Sequence, residues 1–233
     1  DAQGIDAGPA LDPTDPRLSK TYAEFPLTSL DQLMDLGLQY MSSTDDDEKS
    51  KASPITCIDI GSGCGRIGLY LAMTRSRGNP DGTKSSKAWK VHGIEISDLL
   101  HHEALGYCQK AVDNDLISPS SSASTTMVSE EVNTLSLHLG PADDFGSLLS
   151  EADCIFAYST AFTAKTFSPE LGALILGPEW SQMLGESCKD GCMAITTDRA
   201  LNPAYGWQLV DRLDVDNREV FGTTGYVHIL KKR

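Results

Sequence analysis

Residues Ile55-Thr-Cys-Ile-Asp-Ile-Gly-Ser-Gly-Cys-Gly65 decide the fold of this chain. The apolar run at 55–60 has the length and the β-branched content of a buried strand. Alternate glycines follow it, at Gly61, Gly63 and Gly65. Glycines let the chain turn tightly and let backbone N–H groups approach a ligand that a Cβ would block. Residues 66–73 have a helical pattern, and a strand, a glycine loop and a helix open a nucleotide-type α/β fold, with its ligand over the strand's carboxyl end.

The position of the glycines argues against a dinucleotide as that ligand. A G-x-G-x-x-G pattern occurs at Gly63, Gly65 and Gly68, but alone it is weak evidence. Counted from the end of the strand, the first glycine is Gly61, and the third dinucleotide position falls on Arg66. The acid before the glycines, Asp59, is better explained by a cationic ligand.

The acid-x-Gly-x-Gly-x-Gly spacing resembles motif I of the seven-strand S-adenosylmethionine methyltransferases. The resemblance implies S-adenosyl-L-methionine as the cofactor. It also implies that Asp59 orients the methionine amino group and that the loop backbone lines the cofactor. The loop residues concerned are Gly61, Ser62, Gly63 and Gly65.

A second acid ends the next predicted strand, at 90–96. A carboxylate in the position of Glu95 can accept hydrogen bonds from both ribose hydroxyls, as in dinucleotide folds. The alternative is a solvated acid at a strand end. The gap between the two acids is long because residues 74–88, rich in Gly, Ser, Lys and Pro, have the composition of a surface loop.

Alternating helix and strand patterns predict one α/β domain. Further strands are predicted at 135–139, 154–158, 193–197, 207–215 and 225–232, and further helices at 27–41, 97–115 and 169–187. The last two strands follow each other without a helix, so they should pair antiparallel. The prediction is a Rossmann-like, mostly parallel seven-strand sheet with a C-terminal antiparallel hairpin and helices on both faces. Residues 1–52 should form a lead-in, a helix and an acidic linker, and residues 53–233 the cofactor-binding domain.

Two segments after later strands complete the predicted site. After the third strand, Asp144 can accept a hydrogen bond from the adenine amino group and Phe145 can cover the adenine face. The alternative for this pair is a helix N-cap beside a core aromatic residue. After the fourth strand, Tyr158 and Phe162 are predicted to wall the acceptor channel, with Ser159 accepting a hydrogen bond from an amine. Simple packing is the alternative for the two aromatic residues.

A closer resemblance extends from about residue 22 to the C-terminus. The chain is similar to the non-SET histone lysine methyltransferases, the disruptor-of-telomeric-silencing family. The matching segments, in order, are Tyr22-Ala-Glu24, Asp59–Gly65, Gly93-Ile-Glu95, Asp144-Phe145, Ile155–Phe162 and Thr223–His228. The resemblance implies that Tyr22 and Glu24 lie in a lid over the methionine part of the cofactor. The alternative for these two residues is an aromatic residue at the chain entry and a surface acid. This chain has Ala23 where the family has Gly, and Tyr158-Ser159 where it has adjacent asparagines.

The amino-acid composition limits the kinds of binding partner and the cellular compartment that we expect for this chain. The 33 acidic and 19 basic residues give a net charge of −14, which disfavours direct nucleic-acid binding. No apolar run approaches the roughly 20 residues that span a bilayer, and no signal peptide is evident. Neither the six cysteines nor the five histidines show the spacing of a disulfide framework or a metal site. These features predict a soluble protein of a reducing, intracellular compartment, cytoplasmic or nuclear.

The sequence therefore predicts a methyltransferase that transfers a methyl group from S-adenosyl-L-methionine, most simply to a protein lysine amine. One alternative is a small-molecule N- or O-methyltransferase of the same fold. Another is a non-catalytic cofactor-binding domain, which the absence of the two asparagines permits. A nicotinamide-dependent oxidoreductase is a third, weaker alternative.

Overall fold

A computed structural model describes residues 25–42, 53–75, 88–117, 134–217 and 222–232. The helices are α1 (Leu27–Ser42), α2 (Arg66–Thr74), α3 (Asp98–Asp113), α4 (Gly146–Glu151) and α5 (Pro178–Ser187). The first strands are β1 (Ile55–Ile60), β2 (Trp89–Glu95), β3 (Thr134–Leu139), β4 (Cys154–Ala157) and β5 (Ala164–Ser168). The others are β6 (Ala173–Leu176), β7 (Met193–Thr197), β8 (Arg199–Ala200), β9 (Trp207–Val215) and β10 (Thr223–Leu230).

Seven strands form the main sheet in the order β3-β2-β1-β4-β7-β10-β9. Strands β1, β2, β3, β4 and β7 run parallel, while β10 pairs antiparallel with both β7 and β9. The predicted fold class is therefore confirmed. The chain order reverses between β2 and β4, which lie on either side of β1, and the carboxyl end of β1 is where ligands bind in sheets of this kind.

The sheet is covered on both faces, which explains why β1, β4 and β7 are buried along nearly their whole length. On one face, Phe156 of β4 packs into a cluster with α1 and α2, represented by Leu33 and Leu71. On the other face, Ile155 packs with Leu149 of α4 and Leu184 of α5. Neighbouring residues of β4 thus enter opposite halves of the core, as the alternation of a strand requires.

Helix α1 packs against the C-terminal strands. The Leu33 side chain is fully buried and lies against Gly225 of β10, where an added Cβ would be 2.2 Å from Leu33 Cδ2. The Ser29 hydroxyl donates to the Asp216 carbonyl (2.7 Å), and the Tyr40 hydroxyl donates to the Asp211 carboxylate (2.8 Å). The helix therefore shares the hydrophobic core of the sheet, and the domain boundary at residue 52 stays a prediction.

The helix predicted at 169–187 is wrong in its first half. Residues 164–176 form the hairpin β5–β6, and the helix α5 begins only at Pro178. Gly172 in the hairpin turn has a φ of +60°, a conformation that a helix does not contain. Strand β6 also pairs in parallel with β8, so a small three-stranded sheet lies beside the main one.

A buried histidine predicts acid sensitivity. His228 is fully buried, its Nε2 accepts a hydrogen bond from the Leu201 N–H (3.1 Å), and burial lowers its pKa from 6.5 to about 4. Between these values the unfolded chain binds the proton and the folded chain does not. The free energy of unfolding should therefore fall as the pH drops from 6.5 to 4, by about 3 kcal/mol from this residue.

Urea unfolding at pH 6.5 and pH 4.5 tests this expectation by comparing wild type with His228→Gln. The difference between the two proteins isolates this residue from the other titrating groups. The glutamine variant should lose less stability on acidification than wild type. His102→Gln, an exposed position on α3, is the control and should keep the wild-type pH dependence. Equal pH dependence in all three proteins would contradict the assignment.

Candidate functional site

A cavity of about 400 Å³ lies at the carboxyl ends of β1 and β2. Most of its lining is apolar or glycine, as in pockets that hold small organic ligands. Its lining residues are Ile60, Gly61, Ile94, Ile96, Gly140, Pro141, Ala142, Asp143, Phe162, Glu179, Trp180 and Met183. The cavity thus occupies the place where the strand order predicts a ligand.

The glycine loop meets the cavity at Gly61. Its three alternate glycines have φ values of +73°, +55° and +78°, a region in which residues with a Cβ are strained. The N–H groups of Gly61 and Ser62 both donate to the Ile94 carbonyl, at 2.9 and 3.0 Å, and tie the loop to β2. Ser62 is buried, and a Cβ on Gly93 would lie 2.9 Å from its hydroxyl oxygen. Loop and strand are therefore in close contact.

Asp59 is a buried acid with an unmet hydrogen-bonding demand. Its side chain is only 2% exposed, and its Oδ2 has no partner among the described residues. Burial, and secondly the charge of Glu95, raise the Asp59 pKa from 3.8 to about 7, against a smaller lowering by the Gly68 backbone. A buried carboxylate without a partner is costly. A cationic hydrogen-bond donor in this place would remove the cost.

Glu95 is held by the backbone around the loop. Its Oε2 accepts a hydrogen bond from the Gly63 N–H (2.8 Å) and its Oε1 accepts one from the Ser97 N–H (2.7 Å). A carboxylate has about four lone-pair sites, so both oxygens retain capacity to accept from a ligand. These bonds fix the carboxylate at the end of β2, beside the glycine loop.

On the β3 side, the structure places Asp143 in the cavity wall. The predicted residues lie just after it: Asp144 is exposed, and the Phe145 ring packs 5.4 Å from the His138 ring. Phe145 also lies over Gly140, 3.3 Å from where a Cβ would stand. The roles predicted for Asp144 and Phe145 stay predictions, and the acid that faces the cavity is their neighbour.

The side chains of the three residues predicted for the acceptor channel lie in different parts of the fold. Phe162 lines the cavity and covers the glycine loop, 3.7 Å from where a Cβ on Gly61 would stand. Tyr158 points to the opposite half of the core, where its ring packs 5.3 Å from that of Phe25. The Tyr158 hydroxyl accepts a hydrogen bond from Asn217 Nδ2 (3.0 Å).

Ser159 is fully buried. Its hydroxyl donates to the Thr197 carbonyl (2.7 Å) and accepts from the Thr197 N–H (3.1 Å). Both bonds join the segment after β4 to the end of β7. The Ser159 hydroxyl, which is predicted to accept a hydrogen bond from an amine, is therefore already hydrogen-bonded within the fold.

Sequence reasoning missed the contribution of α5. Trp180 stacks on Phe162 with a centroid separation of 4.3 Å and an interplanar angle of 17°, and Glu179 and Met183 extend the same wall. The only sequence signal was an aromatic residue on an amphipathic helix, which more often packs in a core. The predicted lid residues Tyr22 and Glu24 lie outside the described residues.

Among the described residues, no three His, Cys, Asp or Glu side chains are grouped to hold a metal ion. The six cysteines are free thiols. No helix within the described ranges is long and apolar enough to cross a bilayer.

Comparisons with solved structures agree with the fold. An RNA methyltransferase from Salinibacter ruber in complex with S-adenosyl-L-homocysteine aligns with a TM-score of 0.52 at 18% identity, over 91% of this chain and 95% of its own. The magnesium protoporphyrin IX methyltransferase of Synechocystis PCC 6803, with bound SAM, aligns with a TM-score of 0.50 at 11% identity, over 92% and 89%. At these low sequence identities, the comparisons show only that the fold is similar. No protein-family model and no curated protein matches the sequence.

Proposed function

We propose that this protein is an S-adenosylmethionine-dependent methyltransferase. The observation that carries the proposal is the unpartnered Oδ2 of buried Asp59, beside Glu95 and the glycine loop. A zwitterionic cofactor with an ammonium group and a sulfonium centre suits a site with two buried acids. Two solved structures of similar fold are methyltransferases with bound S-adenosyl-L-homocysteine or SAM, which supports the same cofactor here.

The glycine loop and the adjoining cavity together fit such a cofactor. Asp59 and Glu95 lie beside the loop rather than in the cavity lining. Asp59 would accept from its ammonium group, and Glu95 from its ribose hydroxyls. The apolar part of the cavity lining, which includes Ile96 and the Phe162–Trp180 stack, suits a flat adenine ring, with Asp143 available to accept from the exocyclic amino group. The bound cofactor supplies the activated methyl group. The chain's own residues bind it, align it and exclude water around it.

For the acceptor, we propose a protein lysine amine. The net charge of −14 favours a basic polypeptide, and the similarity to the non-SET lysine methyltransferases points the same way. A lysine amine must be neutral when it attacks, although its usual pKa is near 10.4. Desolvation beside aromatic side chains favours the neutral form.

A small-molecule acceptor is the second candidate. It is favoured by Ser159 and Tyr158, whose hydroxyl groups are bonded to Thr197 and Asn217 rather than facing the cavity. A cofactor-binding domain without transferase activity would have the same site.

Two measurements test the proposal in sequence. Calorimetric titration should show S-adenosylhomocysteine binding and no binding of NAD. Transfer of a labelled methyl group from S-adenosylmethionine is then measured on basic proteins, peptide arrays and a panel of small amines and alcohols. Absence of cofactor binding would overturn the proposal. Binding without transfer to any acceptor would leave the non-catalytic alternative.

Tryptophan fluorescence should report cofactor binding through one residue. Trp180 lines the cavity, whereas Trp89 and Trp207 are 3% and 0% exposed within the core. S-adenosylhomocysteine should therefore change the emission of wild type, and Trp180→Phe should lose most of that change. Because phenylalanine keeps an aromatic face, the affinity of the variant by calorimetry should fall by no more than about tenfold. A full fluorescence change in Trp180→Phe would place the ligand elsewhere.

A further inference from the structure

The segment between β4 and β5 carries Phe162 into the cavity wall but has little internal support. It contains one 3-10 turn, Ser159–Ala161, closed by a hydrogen bond from the Phe162 N–H to the Ser159 carbonyl (2.9 Å). A single turn of this kind is weakly stable by itself. The position of the Phe162 ring must therefore be fixed by contacts from other parts of the chain.

Arg199 supplies such contacts from β8. Its Nη1 donates to the Ser159 carbonyl (2.9 Å) and also to the Thr160 carbonyl. The Ser159 carbonyl is the one that closes the turn before Phe162. One nitrogen of the guanidinium group thus contacts two successive carbonyls of the turn, as the several N–H donors of an arginine allow.

Asp198, the residue before Arg199, contacts the same turn through its side chain. Asp198 has a φ of +58°, a left-handed conformation that is uncommon outside glycine and best tolerated by Asp and Asn. Its Oδ2 accepts from the Thr160 hydroxyl (2.5 Å), and its Oδ1 accepts from the Thr224 N–H (3.1 Å). Asp198 and Arg199 thus both contact Thr160, the first at its hydroxyl and the second at its carbonyl.

The position of Arg199 lowers the stability of the fold. Its Nε is buried and has no partner among the described residues, and an unmet buried donor destabilises a fold. Together with the left-handed residue beside it, this makes the end of β7 a locally strained place. Strain of this kind concentrates at functional sites, where surrounding structure maintains it.

We infer that Arg199 is a positioning residue for the cavity, acting through Phe162. It holds the 159–162 turn so that the Phe162 ring lies over Gly61 and against Trp180. The link from this turn to cofactor affinity rests on the proposed function. The link from Arg199 to the placement of the aromatic stack does not.

The experiment uses Arg199→Ala and Arg199→Lys in the full chain, with Arg212→Ala, an exposed residue of β9, as the matched control. The affinity for S-adenosylhomocysteine, measured by calorimetry on folded protein, should fall about tenfold in both Arg199 variants, because alanine has no donor and the compact lysine ammonium does not reproduce the planar guanidinium. Tens of millimolar guanidinium chloride should restore affinity in Arg199→Ala and leave Arg199→Lys weak. The Arg212 control should bind as wild type does.

Acrylamide quenching gives a readout that needs no cofactor. Loss of the Phe162 contact should increase quenching of Trp180 in both Arg199 variants, and the increase should disappear when Trp180→Phe is added. Wild-type affinity and wild-type quenching in Arg199 variants that merely melt earlier would overturn the inference. If wild type itself binds no S-adenosylhomocysteine, the proposed function fails, and the quenching result still decides the role of Arg199.

Discussion

Asp59→Asn should make the protein more stable and remove most of its affinity for the cofactor. The folded pKa of Asp59 is about 7 against 3.8 for the free side chain, so the folded protein binds more protons between these values. Stability therefore falls as the pH rises through this window, and the whole penalty is present above pH 7. At pH 8 the asparagine should raise the free energy of unfolding by about 3 to 4 kcal/mol.

The same substitution removes the charge that would face a cationic ligand. A buried hydrogen bond to a charged group is worth about 1.5 to 3 kcal/mol, so we expect affinity for S-adenosylhomocysteine to fall about a hundredfold. Urea unfolding at pH 8 and pH 5 and calorimetric titration measure the two effects. The gain in stability should be smaller at pH 5, where the folded wild-type carboxyl is protonated.

The control is Asp113→Asn, an exposed acid at the end of α3, which should change neither quantity. Unchanged affinity in Asp59→Asn would remove Asp59 from the site. Lower stability at pH 8 would show that its carboxylate has a partner in the fold. The combination of higher stability and lower affinity is specific to an acid kept for a ligand.

Gly225→Ala should destabilise the protein by about 2 to 3 kcal/mol, a typical cost of overpacking a core. The added Cβ would stand 2.2 Å from Leu33 Cδ2 and 2.5 Å from Cδ1. Leu33 is fully buried, so it has no free space into which to move. Urea unfolding of wild type, the single variants and the double variant Gly225→Ala/Leu33→Ala gives the coupling between the two positions.

The double variant should be more stable than the sum of the single changes predicts, because a shorter residue 33 leaves room for the new methyl group. Gly106→Ala is a matched control with the opposite expected sign. Gly106 lies within α3, and a Cβ there has nothing within 4 Å. Alanine should stabilise that helix by up to about 1 kcal/mol. Additive effects at 33 and 225 would contradict the close contact.

The sequence predicts the local part of this molecule well. The strand, glycine loop and helix at 55–73 are one continuous pattern, and the seven main strands fall where apolar runs are bounded by turn residues. These features depend on neighbours in the chain. The hairpin β5–β6 was missed because its stability comes from pairing with β8 and packing on Tyr226, more than twenty residues away in the chain.

The candidate site likewise contains residues that the sequence predicts and residues that only tertiary contacts bring to the site. The positions of Asp59 and Glu95 follow from strand ends that a motif can recognise. Trp180 lines the cavity and stacks on Phe162, and Arg199 contacts the turn before Phe162. No spacing in the sequence signals either contact. Whether a hydroxyl such as that of Ser159 faces a ligand or bonds to Thr197 is likewise decided by distant backbone.

The packing of α1 on the last strands has a consequence for synthesis on the ribosome. The bond from Ser29 to Asp216 spans 187 residues, so the helix emerges long before its binding surface exists. Before β10 has been translated, Leu30, Leu33 and Met34 lack part of the surface that buries them. They then form an exposed hydrophobic stripe on the nascent chain. Closing so large a loop is slow, so we expect the growing polypeptide to be prone to aggregation during that interval.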